Sequence, residues 1–404
     1  MGSVGTTTLA VPIVNERHVM QDPARSATAG LGGDLSVRSV RATIVDVPTV
    51  RKHKLSSLSV TAQSYVIVQV QLANGVEGIG ESSTLGGPRW SEESVETIKA
   101  VIDAHLAPAL IGARADKFEQ AGVLMDAAAK RNNNAKAALD TALMDAVGRT
   151  LGLPAVALLG GAVRDRVPVL WTLASGDPAQ EIEEAERKLA SRLHNTFKIK
   201  IGAQSPEADL VRLGKLSKAL VDRATLIVDA NQAWDEAVTS RCLPRLGDLG
   251  IKLVEQPVPA WNIAGLARLR ARSPVPLMAD ECVFSVHDML TVASTAAADV
   301  VSLKLVKHGS LLNTRKVAAI AEAAGIGLYG GCLLESSVGA AAHLQVFASL
   351  RELAWGCEHF GPQILTDDLV TEPLRFEDFH VYLPTGPGIG VSLDPAKLKR
   401  YART

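Results

Sequence analysis

Apolar and polar positions alternate residue by residue in "QSYVIVQVQLANG", residues 63–75, and the run ends in a turn signal. A period of two is the signature of a strand. A similar run, "SVRSVRATIVDVPTV", spans 36–50. Together they predict an antiparallel sheet with one wet face. Between 91 and 160 apolar residues recur at three and four, as in "NAKAALDTALMDAVGRTLG", so Ala-rich helices follow the strands. Residues 36–160 therefore read as an α+β domain closing near "LLGG". From 161 to 354 short β-rich runs alternate with amphipathic helical stretches. The strand candidates are "VPVLWTL", "TFKIKIG", "TLIVDAN", "KLVEQP", "PLMADE", "VVSLKL" and "GLYGG", with an eighth expected just after Cys332. Helical stretches between them include "EEAERKLASRL", "ADLVRLGKLSKAL" and "LLNTRKVAAIAEAAG". Strands alternating with helices imply a parallel sheet. About eight units over roughly 190 residues approach a (β/α)8 barrel, typically about 250 residues long. The expected class is α/β, a (β/α)8-type barrel with an N-terminal α+β capping domain. Residues 355–404 are Pro- and Gly-rich, lose the rhythm and are expected to complete the capping domain.

Composition narrows the picture. The chain has 404 residues, 47% hydrophobic, with 42 basic and 43 acidic side chains for a net charge of -1. That balance does not fit nucleic acid as a main partner. No apolar run reaches the roughly 18 residues of a membrane helix. Cys242, Cys282, Cys332 and Cys357 are far apart and match no disulfide or zinc spacing, which suits a reducing cytoplasm. Residues 1–35 are rich in Gly, Ser, Thr and Ala and read as a flexible tail. "MGSVGT" matches the myristoylation pattern, a short motif that arises easily by chance.

The candidate chemistry lies at the strand ends. Lys198 and Lys200 are two apart in "TFKIKIG", so both point to one face of an otherwise apolar strand. The following strands end in Asp229, with Asn231 beside it, then Glu255, Asp280 with Glu281, and Lys304. Leading residues at 200, 229, 255, 280 and 304 are spaced by 29, 26, 25 and 24, one per βα unit. In a barrel those ends converge on one mouth, where such enzymes place their sites. Three neighbouring carboxylates repel one another. A hard divalent cation, Mg2+ or Mn2+, resolves the conflict, and no soft ligand accompanies them to suggest zinc. A second ammonium and a dication favour a neutral amine within the lysine pair. Lys304 comes from a strand roughly opposite. Substrate between the lysines, with an oxygen on the cation, is a layout for moving a proton at a carbon next to a carboxylate.

Each motif alone is weak, because a lone K-x-K is usually a solvated strand face and a strand-end acid often caps a helix. The ordered set of lysine pair, Asp, Glu, Asp and Lys is much harder to obtain by chance. Glu335 in "GGCLLESSVG" is placed either to hydrogen-bond substrate or a lysine, or to serve structure. His343 and His359 read as ordinary helix or loop histidines.

These residues resemble the muconate cycloisomerase (muconate lactonizing) family of the enolase superfamily. The likeness extends to "GVEGIGESSTLGG", "LGLPAVALLGGAVRDRVPVLWTLASGD", "HNTFKIKIGA", "AEAAGIGLYGG" and "FGPQILTDDLVTEPLRFEDF", from about residue 38 to the end. It implies interconversion of cis,cis-muconate, a small dicarboxylate, and muconolactone through an enolate in catechol breakdown, with Mn2+ or Mg2+. Asp229, Glu255 and Asp280 would hold the metal. Lys200 would be the acid that protonates carbon, Lys198 would tune it and help bind the carboxylate, and Lys304, with Glu281 as partner, would hold charge opposite. The N-terminal domain would cap the mouth through loops around 51–57 and 86–91. Members are typically homo-octamers. Trp90 stands where the pattern has Tyr, and Cys282, Cys332 and Cys357 where it has small hydroxyl residues. Those positions bear on substrate range and on the face of ring closure. Arg51, His53 and Lys54 are candidates for binding the distal carboxylate, or form a surface cluster.

Other functions compete. Chloromuconate cycloisomerase shares the whole set. So do racemases and epimerases, and o-succinylbenzoate synthase. A Schiff-base lyase using Lys304 would not need three carboxylates. A non-catalytic acid- or metal-binding barrel would not need facing lysines.

Overall fold

The computed structural model describes residues 33–54 and 59–403, with the backbone alone for 52–54 and 59. The sequence-level tail and the "MGSVGT" motif lie outside them, apart from residues 33–35. Strands β1 (Val37–Lys54), β2 (Ser59–Leu72) and β3 (Glu77–Thr84) form an antiparallel sheet in that order. Helices α1 (Val95–Val101), α2 (Ala107–Leu110), α3 (Phe118–Ala128), α4 (Asn133–Leu151) and α5 (Ala155–Leu158) follow. The expected wet face is missing from β2. Val66, Val68, Val70 and Leu72 pack with α4 residues in one core, while Tyr65 and Ile67 on the opposite face pack with Leu365 and Leu369. A segment distant in sequence covers that face, and local alternation carries no sign of it.

Helix α4 is buried without a break from Asn134 to Gly148, as an Ala-rich helix wedged between two layers must be. It lies hard against β3: a Cβ on Gly80 would come within 2.0 Å of Ala138 O. Only glycine fits there, and the close approach fixes the sheet against the helix.

Strand β4 (Arg166–Pro168) splits from the predicted "VPVLWTL" run and joins β12 (Phe376–Glu377) and β13 (His380–Tyr382) in a small antiparallel sheet. The parallel sheet is β5 (Trp171–Leu173), β6 (Thr196–Lys200), β7 (Thr225–Asp229), β8 (Val254–Glu255), β9 (Leu277–Ala279), β10 (Val300–Leu303) and β11 (Gly327–Gly330), paired in chain order. Cys357 bridges in parallel to both Gly330 and Val169, so the segment at Cys357 is the eighth stave. The strand expected just after Cys332 is instead a loop leading into a helix.

Outside the staves lie α6 (Pro178–Ala190), α7 (Pro206–Leu220), α8 (Glu236–Asp248), α9 (Ile263–Arg270), α10 (Val286–Ser294), α11 (Leu305–His308), α12 (Leu311–Ala323) and α13 (Ser337–Ser349), and α14 (Pro395–Tyr401) ends the chain's helices. Their starts are written in the sequence: Asp177, Ser205, Asp235, Asn262, Ser285, Ser310 and Ser336 each accept a backbone N–H of the first helical turn. Segments after β10 and β11, at the carboxyl ends of the staves, hold the first sheet and α4. Tyr65 Oη donates to Leu334 O at 2.7 Å, Gln63 Nε2 to Leu333 O at 2.9 Å, Ser336 N to Glu81 Oε1 at 3.0 Å, and Leu311 N to Asp140 Oδ2 at 2.8 Å. The chain after 355 serves both layers: Thr49 bridges Leu365 and Val45 bridges Ala402, while β13, backed by β12, pairs with β4.

Candidate active site

Strand register sets the site. Lys200 is level with Asp229, and Asp229 with Glu255, on three adjacent parallel strands. Adjacent strands lie about 4.8 Å apart, so these side chains meet. Lys200 Nζ donates to Asp229 Oδ2 at 2.5 Å and to Asn231 Oδ1 at 3.1 Å. Lys198 Nζ lies 2.6 Å from Glu255 Oε2, 3.9 Å from Asp229 Oδ2, and in contact with Glu358 Oε2. It also sits over the Tyr329 ring, 5.1 Å from its centroid. Both lysines therefore point into the barrel, where carboxylates outnumber them. Repulsion within the pair is the sequence expectation for their titration, and Lys198 shows the reverse. Burial favours its neutral amine, but Glu255 and Glu358, helped by Tyr329 and Asp229, outweigh burial and hold it well above the ordinary lysine range.

Across the mouth, Lys304 Nζ donates to Asp280 Oδ2 at 2.7 Å and lies 4.4 Å from the centroid of the Trp90 ring, which packs on Phe284. Lys307, fully buried, donates to Asp280 Oδ1 at 2.8 Å, to Asp280 O at 2.9 Å and to Ser302 O at 2.7 Å. Burial would raise Asp280, but the two ammonium groups hold it far below the usual carboxylate range. A Cβ on Gly331 would fall 2.5 Å from Lys304 Cε, so glycine makes room for that amine. Lys304's partner is Asp280, not Glu281 as the resemblance implies. Glu281 Oε1 accepts from Asn231 Nδ2 at 3.0 Å. Burial, with Asp280 and Asp229 nearby, pushes Glu281 up to about 7.

Asn231 (φ 41°), Gln232 (φ 67°) and Gln256 (φ 32°) adopt left-handed backbone just after β7 and β8, and Leu334 (φ 59°) does so in the loop that follows β11. Such strain is held only where surroundings over-determine it. Gln256 shows how: its Oε1 accepts from Asp280 N at 2.9 Å, tying the end of β8 to that of β9.

Other predicted residues are placed differently. Glu335 is buried at the seam between the layers; its carboxylate accepts from Leu333 N at 2.9 and 3.0 Å and from Ser83 Oγ at 3.4 Å, with no hydrogen bond to a lysine. Arg51 turns to the barrel flank, with Nε 2.8 Å from Glu184 Oε1 and Nη2 donating to Thr172 O at 3.0 Å. His53 and Lys54 end β1, but their side chains lie outside the described residues. His343 Nε2 accepts from Leu305 N at 3.0 Å, and His359 is buried beside Glu335. All four cysteines are free and buried.

Sequence reasoning missed Glu358, Lys307 and Tyr329. Glu358 contacts Lys198 and accepts from Tyr329 Oη at 3.0 Å and Cys332 N at 2.7 Å. Burial would raise Glu358, but Lys198, Lys304 and Lys200 keep it low. The available signal was positional: Glu358 ends the eighth stave, as Asp229 and Glu255 end theirs.

In this arrangement Asp229, Glu255, Asp280 and Glu358 each face an amine, and among the described residues no three His, Cys, Asp or Glu side chains converge on one point. The donor set still fits a hard divalent cation. It offers carboxylate oxygens only, and Glu255 Oε1 and Glu281 Oε2 are buried without hydrogen-bonding partners. Burial and the carboxylates of Asp229 and Asp280 push Glu255 well above its ordinary range, against the pull of Lys198.

Residues 39–160 match the mandelate racemase / muconate lactonizing enzyme N-terminal domain, and residues 180–397 the enolase C-terminal domain-like family. The chain belongs to the enolase superfamily. Chloromuconate cycloisomerase of Delftia acidovorans is 48% identical over 91% of this chain and 100% of its own. Muconate cycloisomerase 1 of Pseudomonas putida is 47% identical over 91% and 98%. The crystal structure of the Pseudomonas fluorescens muconate lactonizing enzyme complexed with muconolactone superposes with a TM-score of 0.90 at 45% identity, covering 92% of this chain and 100% of that one. Family membership makes the chain an enzyme of the isomerase class. It also bears out the capped barrel expected from the pattern. Among the described residues no helix is long and apolar enough to cross a membrane.

Proposed function

We propose that this enzyme is a cycloisomerase that interconverts cis,cis-muconate and muconolactone. The observation that carries the reading is the facing of Lys198 against Glu255 and Lys200 against Asp229, with Lys304 against Asp280 on the far side. Asp229, Glu255 and Asp280 would hold Mn2+ or Mg2+, which supplies a positive charge for a substrate carboxylate. Lys198 holds negative charge at the same end of the substrate. Lys304, under the Trp90 ring, holds charge at the other. Ring closure forms a C–O bond between one carboxylate and the diene, leaving a carbanion next to the other carboxylate, an enolate. The Lys200 ammonium delivers its proton to that carbon, and in the reverse direction the amine takes it back. Asp229 and Asn231 aim that amine.

Relatives of nearly equal identity are named for muconate and for chloromuconate, and Trp90 departs from the muconate pattern, so the chlorinated substrate is the second reading. Purified enzyme with Mn2+ is given each muconate in turn, and loss of diene ultraviolet absorbance is followed. A higher kcat/KM for cis,cis-muconate supports the first reading, a higher value for chloromuconate the second, and no turnover of either removes both. The likeness also suggests a cytoplasmic homo-octamer, which sedimentation velocity tests.

A further inference from the structure

Behind Lys200, on the side away from the acids, three charged residues are buried together: Glu181 is 0%, Asp209 1% and Arg212 7% exposed. Arg212 Nη1 donates to both carboxylate oxygens of Glu181 at 2.9 Å, and Nη2 lies 3.2 Å from Asp209 Oδ1. A buried ion triad contributes little net stability, and apolar groups of the same volume often serve as well. This triad, however, turns its remaining atoms on the backbone at two strand ends. Arg212 Nη2 donates to Lys200 O; Asp209 Oδ2 accepts from Gly202 N at 2.7 Å; Glu181 Oε1 accepts from Gly176 N at 2.9 Å. Gly176 and Gly202 lie on the loops that leave β5 and β6. Glu181 and Asp209 come from the first turns of α6 and α7, and Arg212 from the second turn of α7, the rigid elements that follow those loops.

We propose that Arg212, held between Glu181 and Asp209, is the positioning residue of Lys200. It pins the carbonyl of the residue whose amine must meet a substrate carbon. Asp209 pins the amide two residues on, so the backbone carrying Lys200 cannot swing. The inference rests on Lys200 being the acid. An approach error of about 1 Å costs on the order of 100-fold in such steps, which is why rigidity at this carbonyl matters to turnover.

The test is a triple variant, Glu181→Gln, Asp209→Asn and Arg212→Met, that removes all three charges at near-constant volume, assayed with Mn2+ beside Lys200→Ala. The expected result is an unchanged melting midpoint, kcat lower by roughly 100-fold, unchanged KM, and a larger solvent deuterium isotope effect on kcat. Wild-type kcat overturns the proposal, as does a loss carried by KM or one with an unchanged isotope effect, which marks a structural role. If the triple variant does not fold, Arg212→Lys, which keeps the buried charge, is judged by the same readings. Full turnover in Lys200→Ala removes the acid assignment and this inference together. Loss there with wild-type kcat in the Arg212 variants removes this inference alone.

Discussion

Lys200 Nζ reaches Asp229 Oδ2 across 2.5 Å, from the neighbouring strand and at the same level of the sheet. The amine is therefore aimed by the barrel itself. Lys200→Ala is expected to lower kcat by about 10²–10⁴, the usual share of a positioned acid, with an unchanged melting curve. Lys200→Arg should fail equally, because a guanidinium does not give up its proton. The diene assay reads both, and normal turnover in Lys200→Ala would place the acid elsewhere.

Cation binding has a readout independent of turnover. Mn2+ at about 100 times its Kd should stabilise the folded protein by about 2.7 kcal/mol, seen as a raised melting midpoint that EDTA reverses. Glu255→Gln should abolish the rise. An equal rise in wild type and variant would exclude Glu255 from the ligand set.

Burial pushes Asp140 up to about 7, despite the bond from Leu311 N. Its unfolded value is near 3.8, so between the two the folded state binds an extra proton and stability falls as pH rises through that window. Asn at this position keeps an acceptor for Leu311 N without the charge. Asp140→Asn should flatten the decline of melting midpoint between pH 4 and 7, with its largest gain over wild type at pH 7 and above. Parallel curves for the two proteins would contradict the assignment.

Gly80 leaves no room for a methyl group against Ala138 O. Gly80→Ala should destabilise by about 1–3 kcal/mol or more, measured by urea unfolding, because backbone on both sides must shift. A neutral result would mean that β3 and α4 slide apart freely.

The Trp90 ring covers Lys304 at 4.4 Å. Trp90→Ala should raise KM for the dicarboxylate more than it lowers kcat, since the ring shapes the binding face and takes no part in proton transfer. Initial-rate kinetics separate the two; a loss confined to kcat would argue against that role.

What the sequence disclosed follows from where information is local. Lys198, Lys200, Asp229, Glu255, Asp280 and Lys304 each end a strand with a clear apolar run, so period and spacing revealed them. Glu358 was hidden because its stave is a short bridge at Cys357 inside a Pro- and Gly-rich stretch. Lys307 follows the end of β10 on a one-turn helix, and only the fold shows it buried on Asp280. Glu281 takes Asn231 and not Lys304 as its partner, and Glu335 takes the structural one of its two open readings, because the sequence gives a residue's stave but not the partner its side chain takes. The burial of both faces of β2 likewise depends on Leu365 and Leu369, nearly 300 positions away.

Barrel closure at Cys357 joins the first and last staves across nearly half of the chain, from Val169 to Cys357. A growing polypeptide that has already made β5 through β11 still carries two unpaired sheet edges, at β5 and β11, until that segment emerges. Contacts so remote in sequence form slowly, and open edges invite pairing with other molecules in the meantime. The yield of native enzyme during synthesis is therefore set by how quickly one short stave arrives, and low temperature or a chaperone that shields those edges should increase soluble expression without altering the finished molecule.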